Sequence, residues 1–253
     1  MAEIPEEAVE ALRSARSVAA ITGAGISAES GMPTFRDPAD EDALWATWDP
    51  MDLASPEGFA RDPGLVTRWY AWRLGRCSGG GPNAGHRALA ELERRVVSRS
   101  GAFTLLTQNV DGLHQAAGSE RVHELHGSIR TWRCSSCGVP GEHPSRELED
   151  YPPRCAACGA PLRPDVVWFG ESLPEGPLRA GMSASMSCDV FLSIGTSAVV
   201  YPAAGFAEMA AERGAALIEV NREPTPLTPR ATWSIRGRCG EALPELVGRA
   251  FDG

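Results

Sequence analysis

The amino-acid sequence predicts an α/β fold: a Rossmann-like parallel sheet with helices on both faces, accompanied by a small, separately organised lobe. Three observations predict it. Short, nearly all-apolar runs recur along the chain, as buried parallel strands do. Segments of helical periodicity separate several of them, and strands alternating with helices imply a parallel sheet covered on both faces. Two further segments break that alternation, and one of them carries four cysteines in two Cys-x-x-Cys pairs.

The first element is a helix over 5–16, with Ala8, Val9 and Leu12 on one side. Ser17–Thr22 follows as a buried strand. Runs of the same kind lie at Ala102–Thr107, 189–194 and 215–220, with a last candidate at 231–235. Helical stretches are expected over 86–98, 111–117, 203–213 and 241–251. The interruptions are 35–81, rich in Trp, Pro and Asp and read as loops and short helices, and 130–163, which holds the four cysteines. The domain plan is therefore a discontinuous Rossmann-like unit (1–34, 82–129 and 164–253), with 35–81 and 130–163 inserted as the small lobe.

A chain of 253 residues that is 43% hydrophobic can bury one substantial core. No apolar run is long enough to cross a bilayer, and Met1 leads straight into acidic, helix-forming sequence, so neither membrane nor signal peptide is expected. A net charge of −9 argues against general affinity for nucleic acid. Cys77, Cys188 and Cys239 are scattered and odd in number, which suits a reducing, cytoplasmic compartment.

Cys134, Cys137, Cys155 and Cys158 have the spacing of a closed tetrahedral site for one zinc ion, the alternative being two disulfides or unrelated thiols. With four thiolates and no open position the site reads as structural, which makes 130–163 a zinc-binding lobe. After the first strand, Gly23, Gly25 and Ala28 fill the small positions of a Gly-x-Gly-x-x-Ala phosphate turn. There, absent side chains would let backbone N–H groups approach a pyrophosphate; a plain strand-to-helix turn fits the same residues. The acidic residue that usually ends the next strand about 20 positions on is missing.

The run from Gly23 through Gly-Ala-Gly-Ile-Ser-Ala-Glu-Ser-Gly-Met-Pro-Thr-Phe-Arg to Arg36 resembles the sirtuin family of NAD-dependent protein deacylases. Downstream, Thr107-Gln108-Asn109-Val110-Asp111-Gly112-Leu113-His114, His126-Gly127, the four cysteines, Arg163-Pro164-Asp165-Val166-Val167-Trp168-Phe169-Gly170-Glu171, Gly195-Thr196-Ser197 and Asn221-Arg222-Glu223 follow in the family's order. Met32 replaces a common Ile, and 38–42 lengthens the following loop.

The resemblance implies NAD as co-substrate and a cofactor-binding set of Gly23, Ala24, Gly25, Ala28, Thr34, Phe35, Arg36, Gln108, Asn109, Asp111, Gly195, Thr196, Ser197, Asn221, Glu223 and Cys239. Asn109 and Asp111 fit a turn equally well. Asn221 and Glu223 would take over the ribose from the missing acidic residue. His126 would be the general base, since imidazole titrates near neutral pH. His123, three residues earlier, lacks the following glycine. The family's reaction would release nicotinamide, free the lysine of a protein substrate and leave its acyl group on ADP-ribose. Val166, Val167, Phe169, Gly170 and Glu171 read as a strand-like stretch to which a substrate peptide could add, or as an ordinary core strand.

Tyr70 and Arg73 stand three apart, on one face if the stretch is helical. The pair resembles the signature of sirtuins that remove succinyl, malonyl or glutaryl groups, with Ala54 as the small residue that widens the acyl pocket. Arg73 also fits a solvated helix cation beside Arg68 and Arg76. The expected function is therefore a deacylase acting on acidic acyl groups as well as acetyl, as a monomer. The rivals are a plain deacetylase, a mono-ADP-ribosyltransferase, a non-catalytic zinc-ribbon and NAD-binding module, and a hydride-transferring dehydrogenase, the last disfavoured by the missing acidic residue.

Overall fold

A computed structural model describes residues 3–32, 49–144 and 151–252, without the side chains of 76–79. Thr34, Phe35, Arg36 and the lengthened loop lie outside the described residues. A six-stranded parallel sheet has the order β3-β2-β1-β7-β8-β9, formed by β1 (Ser17–Thr22), β2 (Ala102–Thr107), β3 (Val122–Glu124), β7 (Val190–Ile194), β8 (Ala216–Asn221) and β9 (Trp233–Arg236). The second sheet is antiparallel, with β4 (Gly127–Cys134) between β5 (Pro140–Gly141) and β6 (Leu162–Val166).

Alternating residues of β1 explain the layers. Val18 and Ala20 pack into one core with Leu12 of α1 (Glu6–Ser14), Leu89 and Leu92 of α6 (Ala84–Ser98), and Leu243 and Leu246 of α10 (Cys239–Phe251). Ala19 and Ile21 point to the opposite core, with Phe206 and Ala210 of α9 (Gly205–Glu212). A strand buried on both faces has to be apolar at every position, as Ser17–Thr22 nearly is. The parallel sheet with helices on both faces is thus present.

Several elements escape the sequence pattern, β4 and β5 among them, since the sequence predicts no strand within 127–141. β3 is three residues with histidine at its centre, and α8 (Glu175–Ser187) is rich in small residues with only Gly181 and Ser185 buried. The helix expected over 111–117 contracts to one turn, α7 (Leu113–Ala116), and the candidate strand at 231–235 begins at Trp233. The remaining short helices are α2 (Ala24–Ser27), α3 (Pro50–Leu53) and α4 (Pro56–Arg61).

The small lobe has its own core. Asp62 caps α5 (Pro63–Gly79), accepting from Leu65 N–H at 2.8 Å with Pro63 at the first helical position. Val66, Trp69, Tyr70 and Arg73 follow the i, i+3, i+4, i+7 stripe and are buried, whereas Trp72 is 43% exposed. That stripe packs on Leu53, Ile129, Trp132, Val166 and Trp168.

The strand expected through 166–171 stops at Val166. Trp168 N–H donates to Glu171 Oε2 (2.9 Å) and Glu171 N–H to Trp168 O (3.0 Å), which folds the stretch into a turn with Gly170 at φ +88°. Within it, Val167 N–H is taken by His126 O (2.9 Å) and Phe169 N–H by Ala54 O (2.8 Å). Strand addition through those two donors is excluded.

Candidate active site

From β1 the chain steps outward through β2 and β3 on one side and through β7, β8 and β9 on the other. That reversal leaves a crevice at the carboxyl ends of β1 and β7, where ligands of open α/β sheets bind. A cavity of about 800 Å³ opens there. Gly23, Ala24, Gly25 and Ala28 line it from the β1 turn, and Gln108 and Asn109 from the end of β2. Gly195, Thr196 and Ser197 line it from the end of β7, and Asn221 and Glu223 from the end of β8. His126, Ala54, Tyr70, Arg73, Val166, Val167, Phe169, Gly170 and Glu171 complete the wall. Asp111 and Cys239 do not reach it. Asp111 is buried behind the wall, accepting from Ser27 Oγ (2.8 Å) and from Leu113 N–H (2.9 Å), so its turn-capping role is realised. Cys239 opens α10 inside the core, where burial pushes its thiol up to about 12.

The glycine turn works differently from the sequence expectation. A Cβ on Gly23 would lie 2.8 Å from Gly195 O, and one on Gly25 2.8 Å from both Gly195 Cα and O. The glycines let two backbones touch. Their own amides are committed, Gly23 N–H to Ile194 O (3.0 Å) and Gly25 N–H to Gly195 O (2.8 Å). Ala24 N–H, between them, has no acceptor among the described residues.

Hydrogen bonds tie the strand ends together. Gln108 Nε2 donates to Thr196 Oγ1 (2.9 Å), Asn221 Nδ2 to Thr196 O (2.9 Å), and Asn109 Nδ2 to Gly23 O (3.0 Å) and Ser27 Oγ (3.1 Å). Behind them, His86 and His114 are fully buried with rings 4.9 Å apart. Burial lowers His86 to about 4 and His114 to about 3, so both are neutral.

His126 Nδ1 lies 3.0 Å from Gln108 O. A carbonyl only accepts, so Nδ1 carries the hydrogen and Nε2 keeps the lone pair. Burial holds the imidazole below its usual range, against the opposing pull of the Gln108 bond. His123 sits in β3, away from the cavity wall.

Arg73 is only 8% exposed, which removes the solvated-cation reading. Its guanidinium lies 5.4 Å from the Trp69 ring. Tyr70 Oη accepts from Trp168 Nε1–H at 3.0 Å, and burial raises the phenol to about 12. Arg163, to which the sequence assigns no role, grips Glu171 through two bonds of 2.6 and 2.9 Å and stacks 3.3 Å from the Trp168 ring centre. Only a turn that brings 163 against 171 makes that pairing, and no periodicity announces it. Thr225 and the prolines beside it were also missed as cavity lining.

The Sγ atoms of Cys134, Cys137, Cys155 and Cys158 all lie within 4.8 Å of one another, with Cys134–Cys158 at 3.4 Å and Cys137–Cys155 at 3.8 Å. None of the four is in a disulfide. Tetrahedral zinc with bonds of about 2.3 Å needs sulfurs about 3.8 Å apart. The donor set fits one structural zinc ion.

A family model described as the Sir2 family matches residues 23–202. An NAD-dependent protein deacylase of Thermus thermophilus is 51% identical over 242 residues, 96% of this chain and 93% of that protein. The solved complex of a Sir2 homolog with NAD superposes with a TM-score of 0.90 at 45% identity, covering 99% of this chain and 95% of that one. A Sir2–p53 peptide–NAD+ structure superposes at 0.85 with 29% identity, covering 99% and 100%. With the fold, the reversal crevice and the cysteine cluster in place, these matches decide the family: the chain belongs to the Sir2 family.

Proposed function

We propose that the chain is an NAD-dependent protein-lysine deacylase whose pocket accepts acyl groups ending in a carboxylate, succinyl, malonyl and glutaryl, as well as acetyl. The observation that carries the acyl reading is Arg73, buried in the wall of the cavity that also holds His126 and the strand-end residues. A guanidinium so placed can take a carboxylate bidentately. Such a charge-assisted bond contributes about 1.5–3 kcal/mol, roughly 10- to 150-fold in specificity. Ala54 keeps that end of the pocket wide.

NAD, when bound, supplies an anomeric carbon bearing nicotinamide as leaving group. Ala24 N–H and the residues of the Gly195 turn hold the pyrophosphate, Gln108 and Asn109 face the nicotinamide ribose, and Asn221 and Glu223 face the adenosine ribose. His126 Nε2, unprotonated because Nδ1 is tied to Gln108 O, takes the proton of a ribose hydroxyl. With both substrates bound, the acyl oxygen of the lysine amide would bond to the anomeric carbon as nicotinamide leaves, the ribose hydroxyl would then add to the acyl carbon, and a water would complete release of the lysine amine, leaving the acyl group on ADP-ribose. Val167, Phe169 and Gly170 line the cavity, and their carbonyls and Gly170 N–H, without backbone partners among the described residues, would be available to the substrate backbone. The four cysteines hold zinc outside the reaction path. Zinc thiolates favour a reducing compartment, in keeping with the cytoplasm. Among the described residues, no helix is long and apolar enough to cross a membrane.

The test is an NAD-dependent assay over acetyl, malonyl, succinyl and glutaryl peptides, with His126→Ala as control. Arg73→Ala is expected to cut desuccinylation at least tenfold more than deacetylation. Equal loss on both substrates would remove the carboxylate clamp and leave a plain deacetylase.

A further inference from the structure

The acyl end of the cavity contains a hydroxyl whose direction is already decided. Tyr70 is 4% exposed and lines the cavity. Its one hydrogen bond among the described residues comes from Trp168 Nε1–H at 3.0 Å. Indole nitrogen is a donor only, so the phenol oxygen has to accept in that bond and its own hydrogen has to point elsewhere. Burial keeps the phenol protonated, so that hydrogen is present throughout the neutral range. No acceptor among the described residues receives it. A buried hydroxyl in a cavity wall with its donor half unused calls for an acceptor on the ligand.

Trp168 is itself held firmly. Its ring is 2% exposed, packs on Phe59 at 5.1 Å, and carries the Arg163 guanidinium 3.3 Å from its centre. Arg163 is in turn fixed by two bonds to Glu171 and one to Val166 O at 2.9 Å. The order runs from Glu171 through Arg163 and Trp168 to the Tyr70 hydroxyl. It ends beside Arg73, which like any guanidinium presents donors alone.

We infer that Trp168 is a positioning residue for acyl selection: by donating to Tyr70 it turns the Tyr70 hydroxyl into an obligate donor, so that this part of the pocket reads a terminal carboxylate and discriminates against groups that offer no acceptor there. A phenol free to rotate could accept as readily as donate and would select less sharply. The inference rests on the acidic-acyl reading above and deepens it by naming what sets the polarity of the pocket.

The experiment measures kcat and KM for succinyl and acetyl peptides of one sequence in wild type, Trp168→Phe, Tyr70→Phe, the double variant and Arg73→Ala. Trp168→Phe and Tyr70→Phe are each expected to lower the succinyl-to-acetyl ratio of kcat/KM by about tenfold, chiefly through KM for the succinyl peptide. The double variant is expected to fall no further than either single one, because Trp168 acts through Tyr70. A ratio unchanged in either single variant, or losses that multiply in the double, would overturn the inference. Tyr70→Phe removes one oxygen and no ring, so the inference stays refutable even if Trp168→Phe fails to fold: an unchanged ratio in Tyr70→Phe overturns it. If Arg73→Ala loses both activities equally, the acidic-acyl reading has failed and this inference with it. If Arg73→Ala behaves as expected and Trp168→Phe does not, only the present inference falls.

Discussion

Gly25→Ala tests whether the contact between the first glycine turn and Gly195 is what shapes the dinucleotide end of the cavity. The added Cβ would sit 2.8 Å from Gly195 Cα, 2.8 Å from Gly195 O and 3.1 Å from Gly195 C. All three are backbone atoms, so no side chain can swing aside. Restoring an ordinary carbon contact of about 3.5–4.0 Å pushes the two turns apart by roughly 1 Å. Overpacking of this kind costs about 1–3 kcal/mol. The Gly25 N–H bond to Gly195 O, now 2.8 Å, is lost with it, for about 1 kcal/mol more. The sum, about 2–4 kcal/mol, falls below the usual stability of a domain, so the variant stays folded. Catalysis suffers more, because a shift of about 1 Å at a reacting site costs on the order of 10²-fold. Urea unfolding would give the stability change, and initial rates at varied NAD the functional one. Gly176→Ala is the control: it lies in α8 with nothing within 4 Å of the new Cβ, and is expected to gain up to about 1 kcal/mol with unchanged rates. A Gly25→Ala enzyme with kcat/KM for NAD within about twofold of wild type would refute the backbone-contact argument.

Two further outcomes follow from the remaining sites. Cys134→Ser or Cys158→Ser is expected to abolish activity by unfolding the β4–β5–β6 lobe; metal analysis should give one zinc per wild-type chain, and a zinc-free chain that stays folded and active would contradict this. His86 and His114 are neutral in the fold at about 4 and 3 but titrate near 6.5 when unfolded, so the unfolded chain binds more protons below pH 6.5. Their contribution is complete above 6.5 and is lost as pH falls from there towards about 4, at up to about 1.4 kcal/mol per pH unit for each histidine. Urea midpoints between pH 7 and 4 should therefore fall less steeply in His114→Asn than in wild type, and equal slopes would count against the burial argument.

What the sequence reveals depends on how a residue is held. β1 and β2 are legible to the residue because burial on both faces demands apolar runs. The four cysteines are legible because metal geometry constrains their spacing. β3 is not, since three residues around His123 carry no period, and α8 is not, since its small residues leave only a weak apolar stripe. Val166 to Glu171 misleads for a different reason. Its apolar run has strand composition, but Glu171 hydrogen-bonds back to Trp168 and Arg163 reaches across to hold it there. The site residues on strand ends could be placed by topology, whereas the cause of Gly25 could not. It lies in a neighbour, Gly195, that is distant in sequence and adjacent in space.

Tyr70 and Arg73 reach the cavity on α5, a helix threaded between α2 and α6, while Gln108, Asn109, Gly195 and Asn221 stand on the ends of sheet strands. On the function proposed above, choice of acyl group and capture of the dinucleotide therefore sit on separate pieces of chain. On that reading, substitutions on α5 and at its neighbours Ala54 and Trp168 would change the acyl group removed while leaving every strand end as it was. Duplicated copies of such a gene could diverge in what they strip from lysine while still drawing on one metabolic currency.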